Sequence, residues 1–502
     1  MDNLDSILEQ MNQHKDIRKN IKLLREGDEE MLNHLFQSKY LGFWNQIFGM
    51  EDAKVRKNAA MLFTQLPENI SDDDFLKDMT KILFDAYQRE KILFVRPVYL
   101  KALSCLPLED YISQLRNQLK NLNTGSWSTD ELKHIHQEQL YLEQMIVKYE
   151  DHAPHMLSTF SKPYSVLLTG ASCVYDLICK DFKLNARKLS YGVKVSNTEL
   201  DHIFTNRLFE EVLFLVPLKR GMLITYDTAI EALCASKLFA MIEELFVCDN
   251  TPITFRIDVR GTMPDDKKNK WVKQLSLQIS DASEGKLVNA LGDYELLIRL
   301  YQKADNTFSC YLKLINLPDE RFAYRKNYTS TSMKPVAAAS MCALCSPYFV
   351  EDAQVLDCFC GSGTLLLERM IYAKECDMSF ASVYGLDIYG KALENAKSNA
   401  ARSGNVIHFI QRDFGSFSHD YLFDEIITEF PDLYEETVEE TDLFYEQFFN
   451  KADEIMVKGG YLFLLCRGGN RIKKHLRMHP SFSFVEEIVF HGKRNVFILK
   501  KD

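Results

Sequence analysis

Three carboxylates close three short runs in the last third of this 502-residue chain: Asp357 in Val355-Leu356-Asp357, Asp387 in Tyr384-Gly385-Leu386-Asp387, and Asp413 in Arg412-Asp413-Phe414. Between the first two lies Cys358-Phe359-Cys360-Gly361-Ser362-Gly363-Thr364, a glycine loop that leads from an apolar run into a helix-like one. The glycines let a ligand approach the backbone closely. The helix start offers unpaired N–H groups and partial positive charge. Leu366 stands where a dinucleotide fingerprint needs its third glycine, which argues against NAD. Asp387, roughly twenty residues past the loop, can accept hydrogen bonds from ribose hydroxyls. Ile388 can then cover an adenine face, and Asp413 can take the adenine amino group. Together these residues describe a site for an adenosyl ligand without a pyrophosphate, and S-adenosyl-L-methionine is the candidate.

The elements that must hold them alternate regularly. Apolar runs predict strands at Val355–Cys358, Val383–Asp387, Ile407–Gln411, Glu425–Thr428, Tyr461–Cys466 and Asn495–Leu499. Helical patterns fall at Pro335–Cys345, Gly363–Lys374, Gly390–Ser403 and Phe444–Val457. This is the pattern of an open, mostly parallel, Rossmann-like α/β sheet with ligands at the strands' carboxyl ends.

Other groups with chemical potential are weaker. Cys342, Cys345, Cys358 and Cys360 invite a metal reading, but the first two fall on one face of an Ala-rich helix, where buried thiols are common. No metal is expected. His475 and His479 have i, i+4 spacing, yet Lys473, Lys474 and Arg477 surround them, and a solvated basic face is the expectation.

Upstream, the chain changes character twice. Ile17-Arg18-Lys19-Asn20, Val55-Arg56-Lys57-Asn58 and Val95-Arg96 recur at about forty residues among helically spaced apolar positions. A period near forty marks an α-solenoid, here HEAT-like repeats over 1–125, which offer a surface for a protein partner. Three unrelated amphipathic helices would read the same way. Residues 126–155 read as a linker helix. From 156 to 322, strand-like runs mix with helices in an α+β pattern. Lys180, Lys183, Arg187 and Lys188 form one basic cluster there, and Lys267, Lys268, Lys270 and Lys273 beside Trp271 form another. Basic residues interleaved with aromatics suit RNA; a solvated charged face is the alternative. The formal net charge of -11 excludes a generic polyanion binder. Twelve cysteines are too few for a disulfide scaffold. The polar start and the lack of a long apolar run fit neither a signal peptide nor a membrane span. The expected location is cytoplasmic.

The loop Asp357-Cys358-Phe359-Cys360-Gly361-Ser362-Gly363-Thr364 resembles that of the THUMP-domain RNA methyltransferases, which include guanine-N2 enzymes of rRNA and tRNA. Arg321-Phe322-Ala323-Tyr324-Arg325-Lys326 and Met333-Lys334-Pro335-Val336-Ala337-Ala338-Ala339 match the segment that borders the cofactor in that family. The resemblance covers 323–502 strongly and the region upstream weakly. It implies a ferredoxin-like plus THUMP-type RNA-binding region over 156–322 and a methyltransferase domain over 323–502. It implies S-adenosylmethionine as cofactor, with Met333, Pro335, Asp357, Phe359, Cys360, Gly361, Gly363, Thr364, Asp387, Ile388, Asp413 and Phe414 around it. It also implies transfer to an exocyclic base amino group of tRNA or rRNA. In the family, an Asn or Asp followed by proline and an aromatic residue aims that amino group. Here the segment is Glu429-Phe430-Pro431-Asp432, so Glu429 and Pro431 take the catalytic place with a carboxylate one methylene further out. The alternatives are a cofactor-binding interaction protein with weakened transfer, or a protein methyltransferase.

Overall fold

A computed structural model of the chain describes residues 7–11, 15–25, 29–66, 70, 72–125, 127–149, 154–160, 162–247, 251–290, 292–431, 433, 437–467, 469–492 and 494–502. Its contacts divide it into two units, residues 1–158 with 216–310 and residues 159–215 with 311–502. The stretch 156–322, read above as one region, is shared between them. Among the described residues no helix is long and apolar enough to cross a membrane.

The first unit opens with helices that include Ile17–Arg25, Ala53–Leu62, Asp73–Arg89, Arg96–Leu103, Ile112–Thr124 and Thr129–Tyr149. Their apolar stripes meet in one core around Trp44, Phe63 and Tyr99. The forty-residue echo has a physical counterpart. Arg18 pairs with Asp52, Arg56 with Glu90, and Arg96 with Glu138. Arg56 also donates to the carbonyls of Met50 and Glu51, and Arg96 to that of Glu90. Each arginine therefore ties its helix to a carboxylate further along the chain and, in the last two, to nearby backbone carbonyls. Glu138 is fully buried on Thr129–Tyr149, and Ile135, Leu142 and Met145 of that helix join the same core. The helix read as a linker is thus a packed part of the helical body.

The first unit also holds three parallel strands in the order Leu287–Asn289, Ile253–Arg260, Leu296–Gln302. Helix Asp265–Ala282 lies between two of them in sequence. Trp271 on that helix is buried, stacked on Tyr226 and close to Phe308. It is a core residue, so the aromatic partner imagined for the second basic cluster is not available to a base. Lys268 pairs with Asp265, and Lys273 donates to the carbonyl of Gly125.

The second unit begins with four antiparallel strands, Ala186–Leu189, Gly192–Thr198, Tyr164–Thr169 and Glu211–Leu215, paired in that order. Lys180, Lys183, Arg187 and Lys188 are exposed here, and Lys188 pairs with Asp176.

The rest of the unit is one seven-stranded sheet. Its strands are β1 (Ala353–Asp357), β2 (Phe380–Asp387), β3 (His408–Gln411), β4 (Phe423–Glu429), β5 (Met456–Arg467), β6 (Phe482–His491) and β7 (Arg494–Lys501). Their order is β3-β2-β1-β4-β5-β7-β6, parallel except for β7. The helices are α1 (Pro335–Cys345), α2 (Thr364–Glu375), α3 (Gly390–Ser403), α4 (Val438–Ile455) and α5 (Gly469–Met478). Both faces of the central strands are buried, which explains their unbroken apolar runs. Leu356, Ile426, Leu462 and Leu464 pack into one core with Phe448 and Phe449 of α4. Val355, Ile427, Phe463 and Leu465 pack into the other with Met341, Leu365 and Leu366. Arg369 of α2 and Glu425 of β4 form a fully buried, two-pronged ion pair at 2.9 and 3.0 Å, with the guanidinium over the Phe349 ring. Strand order reverses at β1, which has β2 on one side and β4 on the other. Open α/β sheets bind ligands at such a switch point.

Candidate active site

Everything that follows sits at the carboxyl ends of β1 to β4. β1 ends at Asp357, which is 2% exposed. Its Oδ1 accepts from the Thr428 hydroxyl at 2.6 Å and from the Phe359 N–H at 3.1 Å. Burial pushes this carboxyl up to about 7, against the two hydrogen bonds, and the charges of Asp387 and Glu429 push it the same way. Asp357, Asp387 and Glu429 thus stand at the ends of three neighbouring strands, β1, β2 and β4.

The loop after β1 turns sharply. Gly361 and Gly363 have φ of +51° and +76°, where a Cβ is strained. A Cβ on Gly363 would also lie 3.2 Å from Ala396 Cβ and from the Phe409 ring. Gly385 on β2 is needed for packing instead, since a Cβ there would lie 2.9–3.0 Å from Cys360, Leu366 and Phe409. Leu366, the residue that breaks the dinucleotide pattern, is thus part of the wall under the loop. The Cys360 N–H donates to the Leu386 carbonyl at 2.8 Å, which sews the loop to β2. Cys358 and Cys360 are buried, and burial lifts both thiols well above the usual range. Cys358 packs into one core of the sheet and Cys360 into the other. Cys342 and Cys345 are likewise buried in the core beneath α1.

Asp387 accepts from the Gly361 N–H and the Tyr389 N–H, both at 2.9 Å. Its carboxylate thus lies against the glycine loop from the β2 side. Ile388 and Tyr389 beyond it are largely exposed apolar side chains. Asp413, after β3, is exposed and accepts from the Ser416 N–H at 3.3 Å; Phe414 behind it is buried. Thr364 opens α2. Its hydroxyl accepts from Arg325 Nε at 3.3 Å and lies 3.3 Å from Ser362 Oγ. Pro335 is the first residue of α1, and the Met333 carbonyl accepts from Arg325 Nη2 at 3.0 Å.

On the β4 side, Glu429 ends the strand and is ion-paired with Arg494 of β7. The Phe430 N–H bonds to the Leu465 carbonyl at 2.9 Å. Pro431 is exposed, and Asp432 lies outside the described residues. Phe359 leans away from the loop into an aromatic cluster, with ring centroids 5.7–6.3 Å from Phe414, Phe430, Phe444 and Phe448. This cluster joins the loop to the segment after β4.

The structure thus brings Asp357, Cys360, Gly361, Gly363 and Asp387 together around one loop. Asp413 and Phe414 stand at the next strand end and Glu429 at the far side. The sequence reading missed four contributors. Arg494, Phe444 and Phe448 carry no motif, though the last two have helical i, i+4 spacing. Thr428 was inside a predicted strand but had no role. One expectation is reversed: His475 is buried on α5, stacked on Tyr445 and 3.3 Å from Asp442, so it is not on a solvated face.

Residues 323–496 match the sequence profile of the RMKL-like methyltransferase domain family. Among solved structures, the chain resembles TrmN from Thermus thermophilus, with 20% identity and a TM-score of 0.51 over 67% of this chain and 99% of that one. It also resembles SMU.472 solved as a complex with SAH, with 13% identity and a TM-score of 0.50 over 68% and 98%. At such identities these likenesses concern the fold. No curated protein matches the chain by sequence.

Proposed function

We propose, from the premise that residues 323–496 belong to the RMKL-like methyltransferase domain family and use S-adenosylmethionine, that the chain methylates an exocyclic amino group of a base in tRNA or rRNA, with guanine N2 as the acceptor. The observation that carries this reading is the convergence of Asp387, the glycine loop and Glu429 across the switch point. A donor held by the first two presents its methyl group toward the third.

The residues suit the cofactor. Asp387 has the position and the acceptor oxygens for the ribose hydroxyls. Ile388 covers the adenine, Asp413 and Phe414 edge it, and the cradle at Gly361 and Gly363 takes the methionine part. Met333 and Pro335 border it, Cys360 and Phe359 support the loop, and Thr364 caps its far end. S-adenosylmethionine supplies an activated methyl group on a sulfonium. The chain's own residues do the rest by orientation. Glu429 accepts a hydrogen bond from the acceptor amine and aims its lone pair, with Pro431 shaping the loop beside it. The base must leave any stack to reach this depth. RNA is held upstream, in a region of ferredoxin-like and THUMP type, where the exposed cluster of Lys180, Lys183, Arg187 and Lys188 supports phosphate contacts. The helical repeats, read as HEAT-like, offer a surface to a protein partner.

A second reading draws on one observation. Glu429 is already engaged by Arg494, so the site can hold cofactor while transfer is slow. The test is transfer of a radiolabelled methyl group from S-adenosylmethionine to total tRNA and to rRNA by the intact chain, with E429Q as control. Label in nuclease-sensitive material, strongly reduced in E429Q, is the expected result. Cofactor binding with no label in either RNA would favour the second reading.

A further inference from the structure

Four arginines of the second unit are partly or fully buried, and each has a carboxylate. Arg207 pairs with Glu368, Arg321 with Asp319, Arg369 with Glu425 and Arg494 with Glu429. Two others, Arg325 and Arg471 of α5, are half-buried with no carboxylate pair among the described residues; Arg325 is the one at the glycine loop. Its Nε donates to Thr364 Oγ1 at 3.3 Å and its Nη2 to the Met333 carbonyl at 3.0 Å. Its guanidinium lies 4.3 Å from the centre of the Tyr328 ring. Neutral partners orient a cation without neutralising it, and burial disfavours its charged form. An arrangement of this kind calls for an anion from outside the chain.

The position narrows which anion. Thr364 is the first residue of α2, directly after Gly363, so the guanidinium sits where the helix start also favours negative charge. Asp387 and Asp413 stand on the β2 and β3 side of the loop and Arg325 at its α2 end. S-adenosylmethionine carries one anionic group, the methionine carboxylate, at the end opposite its adenine.

We propose that Arg325, held by Thr364 and the Met333 carbonyl, is the binding residue for the methionine carboxylate of the cofactor. The inference rests on the cofactor placement given above. Arg325 Nη1 faces the carboxylate, and the Thr364 hydroxyl, which accepts from Nε, keeps its own proton to donate to the same group. No bond is made or broken in this role. It fixes the end of the ligand whose far side carries the reacting sulfur.

The test is calorimetric titration of the intact chain with two ligands. S-adenosylhomocysteine has the carboxylate; 5′-methylthioadenosine keeps the adenosine and sulfur but lacks it. R325Q should weaken S-adenosylhomocysteine about 10- to 100-fold, the range for one charged hydrogen bond, and leave 5′-methylthioadenosine unchanged. R325K should recover part of the loss, and thermal melting of each variant checks its fold. Equal affinity of R325Q and parent for S-adenosylhomocysteine would overturn the inference alone. So would equal weakening of both ligands, which would mean that Arg325 acts by shaping the loop. Failure of the folded parent to bind either ligand would overturn the cofactor placement, and this inference with it.

Discussion

The two halves of the site, on either side of β1, are built from different materials. The half on β1 and β2 is made of backbone and short side chains. Positive-φ glycines form the loop, Asp387 accepts from two backbone N–H groups, and Gly385 admits Cys360 and Leu366 against the strand. The half on β4 and β7 is made of long side chains. Glu429 is held by Arg494, and five phenylalanines fill the space behind it. The first kind of construction has little freedom, because a backbone turn fits a ligand or does not. The second tolerates change, because a long side chain can be redirected by its partner. The half on β1 and β2 carries the residues proposed to bind the cofactor, and the half on β4 and β7 carries those proposed to face the acceptor.

That contrast can be broken at its joint. Arg369 and Glu425 tie α2 of the first half to β4 of the second, both fully buried. R369M leaves the Glu425 charge without its partner and should cost about 3–5 kcal/mol of stability, read as a fall in the urea midpoint. Next, G363A places a Cβ at φ +76° and within 3.2 Å of Ala396 and Phe409. It should cost about 1–3 kcal/mol and weaken S-adenosylhomocysteine binding in calorimetry. A variant that binds normally would mean that the loop is less rigid than this geometry implies. R494Q acts on the other half only. It frees the Glu429 side chain to wander and should slow methyl transfer about tenfold, near 1.4 kcal/mol, with cofactor affinity unchanged. A faster rate would show instead that Arg494 restrains the enzyme.

The smallest effect concerns Asp357, which sits between the halves. Its folded value near 7 stands above the roughly 3.9 of an unfolded aspartate, so the native state holds the extra proton between those values. The stability this carries is complete below about pH 4 and is lost as pH rises through 7. D357N should flatten that slope. Its melting temperature relative to the parent should rise by a few degrees from pH 5 to pH 8, and an unchanged difference would contradict the shift.

How much of this was legible in the sequence follows the same division. Helices α1 and α3 match their predicted bounds, and β1 to β4 fall within a few residues of theirs. Their apolar runs are buried on both faces and punctuated by glycine and aspartate. The last hairpin was half missed: β6 carries exposed Phe484 and Val489 beside Glu486 and Glu487, which hides its strand character. Helix α5 has four basic residues and a histidine in ten positions, so its buried face, with Ile472 and His475, is narrow. The Glu429–Arg494 pair spans 65 positions and has no local signature. Trp271 misled for a related reason, because lysines three and four residues away say nothing about which way the indole points. In the first unit the repeat was visible through its arginines, whereas their carboxylate partners, Asp52, Glu90 and Glu138, are unevenly spaced.

The measurement that bears most directly on the account is titration of the intact, folded chain with S-adenosylhomocysteine, beside D387A. Asp387 links β2 to the glycine loop through the Gly361 N–H and is the residue proposed to hold the ribose. The account predicts saturable one-site binding in the parent and a loss of about 10- to 150-fold or more in D387A, the cost of charged hydrogen bonds to the ribose, with the variant's circular dichroism unchanged. Binding that survives D387A intact would place the cofactor elsewhere and contradict the account.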